Sequence, residues 1–474
     1  MSKLSAKDFL KQIRSFPPAF WILNLMQMAE RLAFWIALIQ LPIFIAQKDA
    51  PGGLHWEQAT KGIIFFWWAL VQNITPVFTG AFADRYGYKK VLAISFSIII
   101  SGYLLLSFQR EFFPFLAATL VLGFGSGIFK PALQGSIART LNKENSSTGW
   151  GIYVMLLNLA VFLGPPIAIF LKDISWTAVF IGCAVIFALN FIFIFLYRDF
   201  PVTESVEIKI RQTFKNIFSR LLKPKIAVFL LLMSGFTIIY MQFYETLPNF
   251  IYDWTDSTKL VDIFNLPEFM TAETSRGGMI NYEWFYNLNS GLIIIGVVFL
   301  SWALSRMRKT VAIFLGMVIA SAGLMLSGIS MSGMILVVGI LTYTTGEMIT
   351  NPRFNDYMSS IAPENEKALH MSLLNISWAI GLGGGSLLGG WLYGAIGEKA
   401  ALAKQYLMDN NLMQSIPEGS KAFSLLLEKT GMSASEATSV LWNSYDPWLV
   451  WLPFFAVGMI SAAGIFIYSK KIDQ

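Results

Sequence analysis

The stretch AFWILNLMQMAERLAFWIALIQLPIFIA, residues 19–46, decides the reading of this chain. It is apolar and longer than the roughly 20 residues a helix needs to cross a bilayer. Yet Glu30 and Arg31 stand in its middle. A charge at the centre of a membrane helix costs about 2.5–3.5 kcal/mol on insertion scales. Such a pair reads as part of a water-filled pathway, or as a buried ion pair in a protein that moves ions or solutes.

The whole chain extends that reading. Of its 474 residues 55% are hydrophobic and only 14% charged, with a mean hydropathy of +0.57. A soluble protein carries about 25% charged residues, so a polytopic membrane protein is expected. The net charge of +6 does not mark a nucleic-acid binder here, because what matters in a membrane protein is which loops hold the charge. The single cysteine, Cys183, lies in an apolar run, which rules out a disulfide framework and a cysteine metal site. The first residues, MSKLSAKDFLKQIRSFPP, lack the short apolar core of a cleaved signal. Their spacing suits a short amphipathic helix on the cytoplasmic surface.

Hydropathy and turn signals give twelve spans, at 19–46, 60–82, 91–109, 112–136, 149–171, 175–197, 226–252, 283–305, 310–330, 334–358, 370–396 and 446–469. The polar, basic segment 198–225 parts them six and six. The expectation is an all-α membrane protein of two six-helix bundles, 1–197 and 226–474, joined by a cytoplasmic linker. With both termini inside, 23 of the 35 lysines and arginines fall in cytoplasmic segments. The opposite orientation inverts that bias, so a multi-pass protein of the cell membrane with cytoplasmic termini is expected. Two outer loops are long, 253–282 and 397–445, and the second holds helical-looking pieces such as KAFSLLLEKTG. They either cap an outer vestibule or are tolerated insertions. Twelve helices in this arrangement fit a transporter whose substrate site lies near the midplane between two halves.

The loop after the second span reads GAFADRYGYKK, residues 80–90. Its Gly80, Asp84, Arg85, Gly87, Lys89 and Lys90 resemble the G-x-x-x-D-R-x-G-x-[RK]-[RK] signature of the major facilitator superfamily. Glycines permit a tight turn, and Asp84 and Arg85 can pair with neighbouring helix ends to latch one conformation. Five further stretches resemble the proton-coupled oligopeptide transporters of that superfamily. QMAERLAFW (27–35) is similar to their Glu-x-x-Glu-Arg-Phe-x-Tyr-Tyr signature, and GFGSGIFKPALQ (123–134) to their glycine-rich helix ending in Lys-Pro. WGIYVMLLNLAVFLGPPIA (150–168), YEWFYNLNSGLIII (282–295) and GEMITNPRF (346–354) are similar to their fifth, eighth and tenth helices. The resemblance covers both halves. It departs at the first signature glutamate, here Gln27, and at the Phe and paired Tyr positions, here Leu32, Phe34 and Trp35. The extra helix pair of many bacterial members is absent. The resemblance implies the superfamily's twelve-helix fold and proton-coupled symport of peptides in a divergent member.

Helical spacing sorts the polar residues. Gln27, Glu30, Arg31 and Phe34 share one stripe of the first span, and Gly123, Gly127, Lys130 and Gln134 one stripe of the fourth. The glycines allow close approach to a neighbouring helix. Tyr343, Glu347 and Asn351 share a stripe of the tenth span, and Gln242, Glu245 and Asn249 one of the seventh. Arg31 and Lys130 are expected to bind the negative end of a substrate and Glu347 its positive end, so that a zwitterion reports on both halves. Alternatively, Glu30, Arg31 and Lys130 only neutralise one another. A carboxylate paired with arginine holds its charge and one left alone in an apolar site gives it up. Switching Arg31 between Glu30 and a substrate carboxylate then loads and unloads a proton, with Glu30 and Arg31 as the coupling pair. Asn158 and Asn289 either face the cavity or bond between helices. Trp378 either walls a side-chain pocket or faces lipid, and Gln242 and Glu245 are gate candidates.

The leading function is a secondary active transporter, a proton symporter of peptides or peptide-like solutes. Its expected partners are a zwitterionic or anionic small molecule, protons and the lipid bilayer, acting as a monomer. The competing function on the same fold is export of drugs or metabolites, or carriage of an organic anion. An enzyme is not expected, because His55 and His370 have no partner at motif spacing. No cofactor is expected, and no Gly-x-x-x-x-Gly-Lys-Ser/Thr loop for nucleotide-driven transport occurs. The proton gradient is the expected energy source.

Overall fold

The computed structural model describes residues 12–79, 82–142, 145–198, 219, 221–304, 306–362, 367–413 and 421–471. The surface helix expected at the N-terminus and the linker lie largely outside these residues, as does the side chain of Asp84.

Helices dominate, because in hydrocarbon every peptide group must find its partner within the chain. The long ones are α1 (Pro18–Ala46), α2 (Gln58–Thr79), α4 (Tyr88–Phe108), α5 (Phe112–Arg139), α6 (Ser146–Ile174) and α7 (Trp176–Leu196). Then follow α8 (Pro224–Glu245), α11 (Tyr282–Ala303), α12 (Lys309–Leu326), α13 (Gly333–Ile361), α14 (Lys367–Leu392) and α18 (Trp451–Lys471). Shorter helices are α3 (Phe82–Tyr86), α9 (Leu247–Trp254), α10 (Thr258–Phe264), α15 (Lys399–Asp409), α16 (Ala422–Thr430) and α17 (Ala434–Tyr445). Eleven helices among the described residues are long and apolar enough to cross a membrane. The 22-residue α11 is the remaining long helix.

Two local features depart from the sequence reading. The seventh span, expected unbroken over 226–252, ends at Glu245 and restarts as α9. Pro248 has no N–H for the carbonyl one turn back, so the ladder is interrupted there. The expected all-α chain also holds a hairpin in the 253–282 loop. Thr271–Thr274 (β1) pairs antiparallel with Gly277–Ile280 (β2), and the tight turn is closed by Gly277 at φ +108°. The 397–445 loop contains α15, α16 and α17. Ser433 and Glu436 form a reciprocal cap at the start of α17. Hydrogen bonds from the backbone and side chain of Ser433 hold the Glu436 carboxyl below its usual range.

The chain forms two compact units. One comprises 1–37 and 68–220, the other 38–67 and 221–474. The cut therefore does not fall only in the 198–225 segment. The end of α1, the start of α2 and the loop between them pack with the second unit. In the first unit Phe96 of α4 meets Phe129 of α5 and Phe187 and Phe191 of α7, with ring centroids 5.6–5.9 Å apart. The glycines of α5 act as their spacing predicts. A Cβ on Gly123 would lie 2.9 Å from the Trp68 ring, and one on Gly127 2.5 Å from Thr75.

In the second unit the run 381–390 packs closely against its neighbours. The Gln242 amide of α8 donates to the Gly385 carbonyl at 2.9 Å, and the Thr237 hydroxyl to the Ser377 carbonyl at 3.0 Å. The α12–α13 contact is closer still. A Cβ on Gly346 would lie 2.3 Å from the Ala320 nitrogen and 2.5 Å from the Gly316 oxygen, which are backbone atoms that cannot rotate away. Overpacking usually costs about 1–3 kcal/mol, and Gly346→Leu is expected to reach the top of that range. Gly384→Leu is the control, because nothing lies within 4 Å of that position. Cys183 is the chain's one cysteine and is buried, so thiol-dye melting reports unfolding. The Gly346 variant should melt several degrees lower and the Gly384 variant with the parent.

Candidate functional site

The first unit assembles its charged set from α1 and α5. Glu30 and Arg31 are both buried, with relative exposures of 2% and 8%. Adjacent residues on a helix project in different directions. The long arginine nevertheless curls back, and its Nε and Nη2 donate to the two carboxylate oxygens of Glu30 in a two-pronged fork. The Arg31 guanidinium also lies over the Phe34 ring, 4.3 Å from its centroid. That is the helical stripe read from the sequence. Gln27, one turn before, is buried at 3% exposure.

Lys130 stands within electrostatic range of both members of the pair. It makes no hydrogen bond or ion pair among the described residues. The structure thus brings Glu30, Arg31 and Lys130 together. Two residues that sequence reasoning passed over complete the neighbourhood. Tyr103 of α4 and Tyr153 of α6 both lie within electrostatic range of Glu30 and Arg31. Gln134 donates to the Tyr153 hydroxyl at 3.2 Å. Neither tyrosine belongs to a polar stripe, so only the fold reveals them. Asn158 is not drawn into this set: its amide donates to the Val154 carbonyl of its own helix at 2.8 Å. In α3, Arg85 is exposed and lies 5.2 Å from the Tyr86 ring centroid.

The second unit builds a polar centre on Glu347 of α13, which is buried at 5% exposure. Asn289 of α11 donates through Nδ2 to Glu347 Oε2 and to Thr344 Oγ1, each at 2.9 Å. The Tyr244 hydroxyl donates to Asn289 Oδ1 at 3.4 Å. Asn351, one turn beyond Glu347, donates to its Oε1 at 3.4 Å. No cation pairs with Glu347 among the described residues. Aromatic rings stand next to this centre. Trp378 meets Tyr240 edge-on at 5.1 Å, Tyr240 lies 5.0 Å from Tyr244, and Tyr244 stacks on Tyr286 at 5.8 Å. The sequence marks Asn289, Glu347 and Trp378. The tyrosines were legible only as aromatic content, and their convergence is tertiary.

At another level of the same unit, polar groups hold the 38–67 segment. Gln40 donates to Glu283 at 2.9 Å, Gln47 to Asp253 at 2.6 Å, and the Lys61 ammonium to the Glu245 carbonyl at 3.1 Å. The Tyr393 hydroxyl also donates to Asp253, at 2.6 Å. Lys61 is fully buried, with Glu245, Glu398 and Asp253 as its electrostatic neighbours. Sequence reasoning missed Lys61, because it stands barely one turn inside its helix and reads as part of the loop. The Gln242 amide is used at both ends. Its oxygen accepts from Thr246 at 2.6 Å while its nitrogen serves the Ile238 and Gly385 carbonyls.

Buried ionic and amide groups in apolar helices, one set in each unit, are the equipment of a solute carrier, and comparison with known proteins agrees. The multidrug resistance protein MdtH of Citrobacter koseri is 19% identical over 341 residues, covering 72% of this chain and 79% of that protein. A POT family transporter solved with a thioalcohol conjugated peptide superposes with a TM-score of 0.69 at 16% identity, covering 98% of this chain and all of that one. One solved with 5-aminolevulinic acid gives 0.69 at 15% identity, with the same coverage. At these identities the structures establish the fold. The family model of the Major Facilitator Superfamily matches residues 23–386, and the chain is a membrane transporter belonging to that superfamily.

Proposed function

We propose that this transporter is a proton-coupled symporter of peptides or small peptide-like zwitterions, working by alternating access in the cell membrane with both termini cytoplasmic. The observation that carries the reading is the state of the first unit's charges. The Arg31 fork is taken by Glu30, while Lys130 beside them is unpaired. The Nε and Nη2 edge of the guanidinium that Glu30 occupies fits one carboxylate at a time. A substrate carboxylate attracted by Lys130 therefore competes with Glu30 for Arg31. Glu30, once released into an apolar setting, takes up a proton, because a lone buried carboxylate is costly to keep charged. Expelling the substrate lets the fork re-form and the proton leave. Coupling then needs one carboxylate on α1, which suits Gln27 in the position where the oligopeptide transporters carry a second acid.

Glu347 supplies the complementary charge. It is held by amides and has no cation among the described residues, so it suits the ammonium end of a zwitterion. The relatives solved with a conjugated peptide and with 5-aminolevulinic acid support this substrate class. A second reading, export of drugs, is favoured by the likeness to MdtH. Purified protein in liposomes separates the two. Under an inward proton gradient, labelled dialanine should accumulate, and cationic drugs should neither accumulate nor leave. Drug extrusion without peptide uptake overturns the proposal.

Two variants locate the machinery. Glu30→Gln should abolish gradient-driven uptake while leaving counterflow of preloaded substrate. Uptake that still follows the gradient removes Glu30 from coupling. Glu347→Gln should weaken binding of dipeptides with a free amino terminus by about tenfold or more, the size of one charge-assisted hydrogen bond. It should leave N-acetylated dipeptides unaffected, as read by competition in the counterflow assay.

A further inference from the structure

Asn351 has no role in the machinery above, yet its side chain is half-used in a revealing way. Its Nδ2 reaches back one helical turn to Glu347 Oε1 at 3.4 Å. This fixes the amide with its other atom, Oδ1, turned away from that contact. Oδ1 is buried and has no hydrogen-bond partner among the described residues. Around Glu347 the other amide and threonine acceptors are committed, while the Tyr343 hydroxyl, one turn before the carboxylate, is also without a hydrogen-bond partner among the described residues. Asn289 Oδ1 takes the Tyr244 hydroxyl, Glu347 Oε2 takes Asn289, and Thr344 Oγ1 takes Asn289 while donating to the Ile340 carbonyl. Asn351 Oδ1 is thus the spare amide oxygen beside the carboxylate, on the same helix and one turn away. A buried acceptor left unmatched is costly, so it points to a donor supplied from outside the chain.

We infer that Asn351 Oδ1 is the second acceptor for the substrate's cationic group, and that with Glu347 it makes the site select ammonium groups with at least two N–H donors. The inference rests on the substrate class proposed above and adds a specificity determinant to it. A primary ammonium has three N–H donors, enough for Glu347 Oε1, Asn351 Oδ1 and a third partner. A trimethylammonium group keeps the charge and has none. It can still be drawn to Glu347 and to the faces of Tyr240, Tyr244 and Trp378, but it leaves Asn351 Oδ1 unmatched. Charge and rings attract both groups, and the Glu347 carboxylate already favours the one with donors. The orphaned amide oxygen widens that preference, because sites built to hydrogen-bond a ligand reject the analogue that lacks the donor.

The test is competition in counterflow by matched ligands: a dipeptide with a free amino terminus, its N-trimethylated form and its N-acetylated form. The purified protein should prefer the free amine over the trimethylated form by about tenfold or more, one unmade hydrogen bond to a buried acceptor. Asn351→Leu should lower that ratio severalfold, chiefly by weakening the free amine, while the hydrogen bond to Glu347 keeps it above one. Asn351→Asp, which keeps an acceptor oxygen, should restore the preference. Thiol-dye melting through Cys183 checks that each variant is folded, and Asn351→Ala serves if the leucine variant is not. A folded leucine or alanine variant with the parent's ratio overturns the inference and leaves the proposed function standing. A parent protein that binds none of the three dipeptides overturns both.

Discussion

Hydrocarbon gives a charged group nothing to bind. That constraint shapes this molecule more than any single contact. Each ionic side chain inside the long helices must be paired or serve something that arrives from outside. Glu30 and Arg31 meet the requirement through a fork between neighbours on one helix. Lys61 meets it by donating to a backbone carbonyl among three carboxylates. Lys130 and Glu347 do not meet it among the described residues, and these two carry the functional reading. Removing one partner of a buried ion pair costs about 3–5 kcal/mol. Charges kept without a partner against costs of that order are what the proposed binding of a ligand rests on.

The same constraint explains why the packing is built from small residues. Between membrane helices apolar surface gains little by leaving lipid, so association depends on close contact and on hydrogen bonds between helices. Gly346 against Ala320 and Gly127 against Thr75 bring backbones together. The Ser234, Thr237 and Ser377 contacts between α8 and α14 add hydrogen bonds where a soluble core would use larger side chains.

Much of this was legible in one dimension. The twelve long helices follow from apolar length, and the Glu30, Arg31 and Lys130 set follows from helical spacing plus the rarity of charge in such segments. Asn289 and Glu347, found on different spans by their polarity, are hydrogen-bonded to each other. Asn158 and Gln242, marked by the same polarity, instead spend their amides on carbonyls of their own or a neighbouring helix. Spacing tells which face a residue is on, and nothing about what meets that face.

The sequence by itself determined the class: a membrane chain of long apolar helices with a few unaffordable charges, because burial in lipid leaves composition little freedom. It also determined the break at Pro248 in principle, since an imino acid cannot donate, although apolar continuity concealed it. Tertiary structure alone decided which polar groups are satisfied. The Arg31 fork turned on its neighbour, Lys61 buried beneath Glu245, the tyrosines gathered beside Glu347 and the unmatched oxygen of Asn351 all depend on atoms distant in the chain. Hydrogen bonding is short-ranged and directional, so whether a polar group is satisfied is fixed only when the helices have packed.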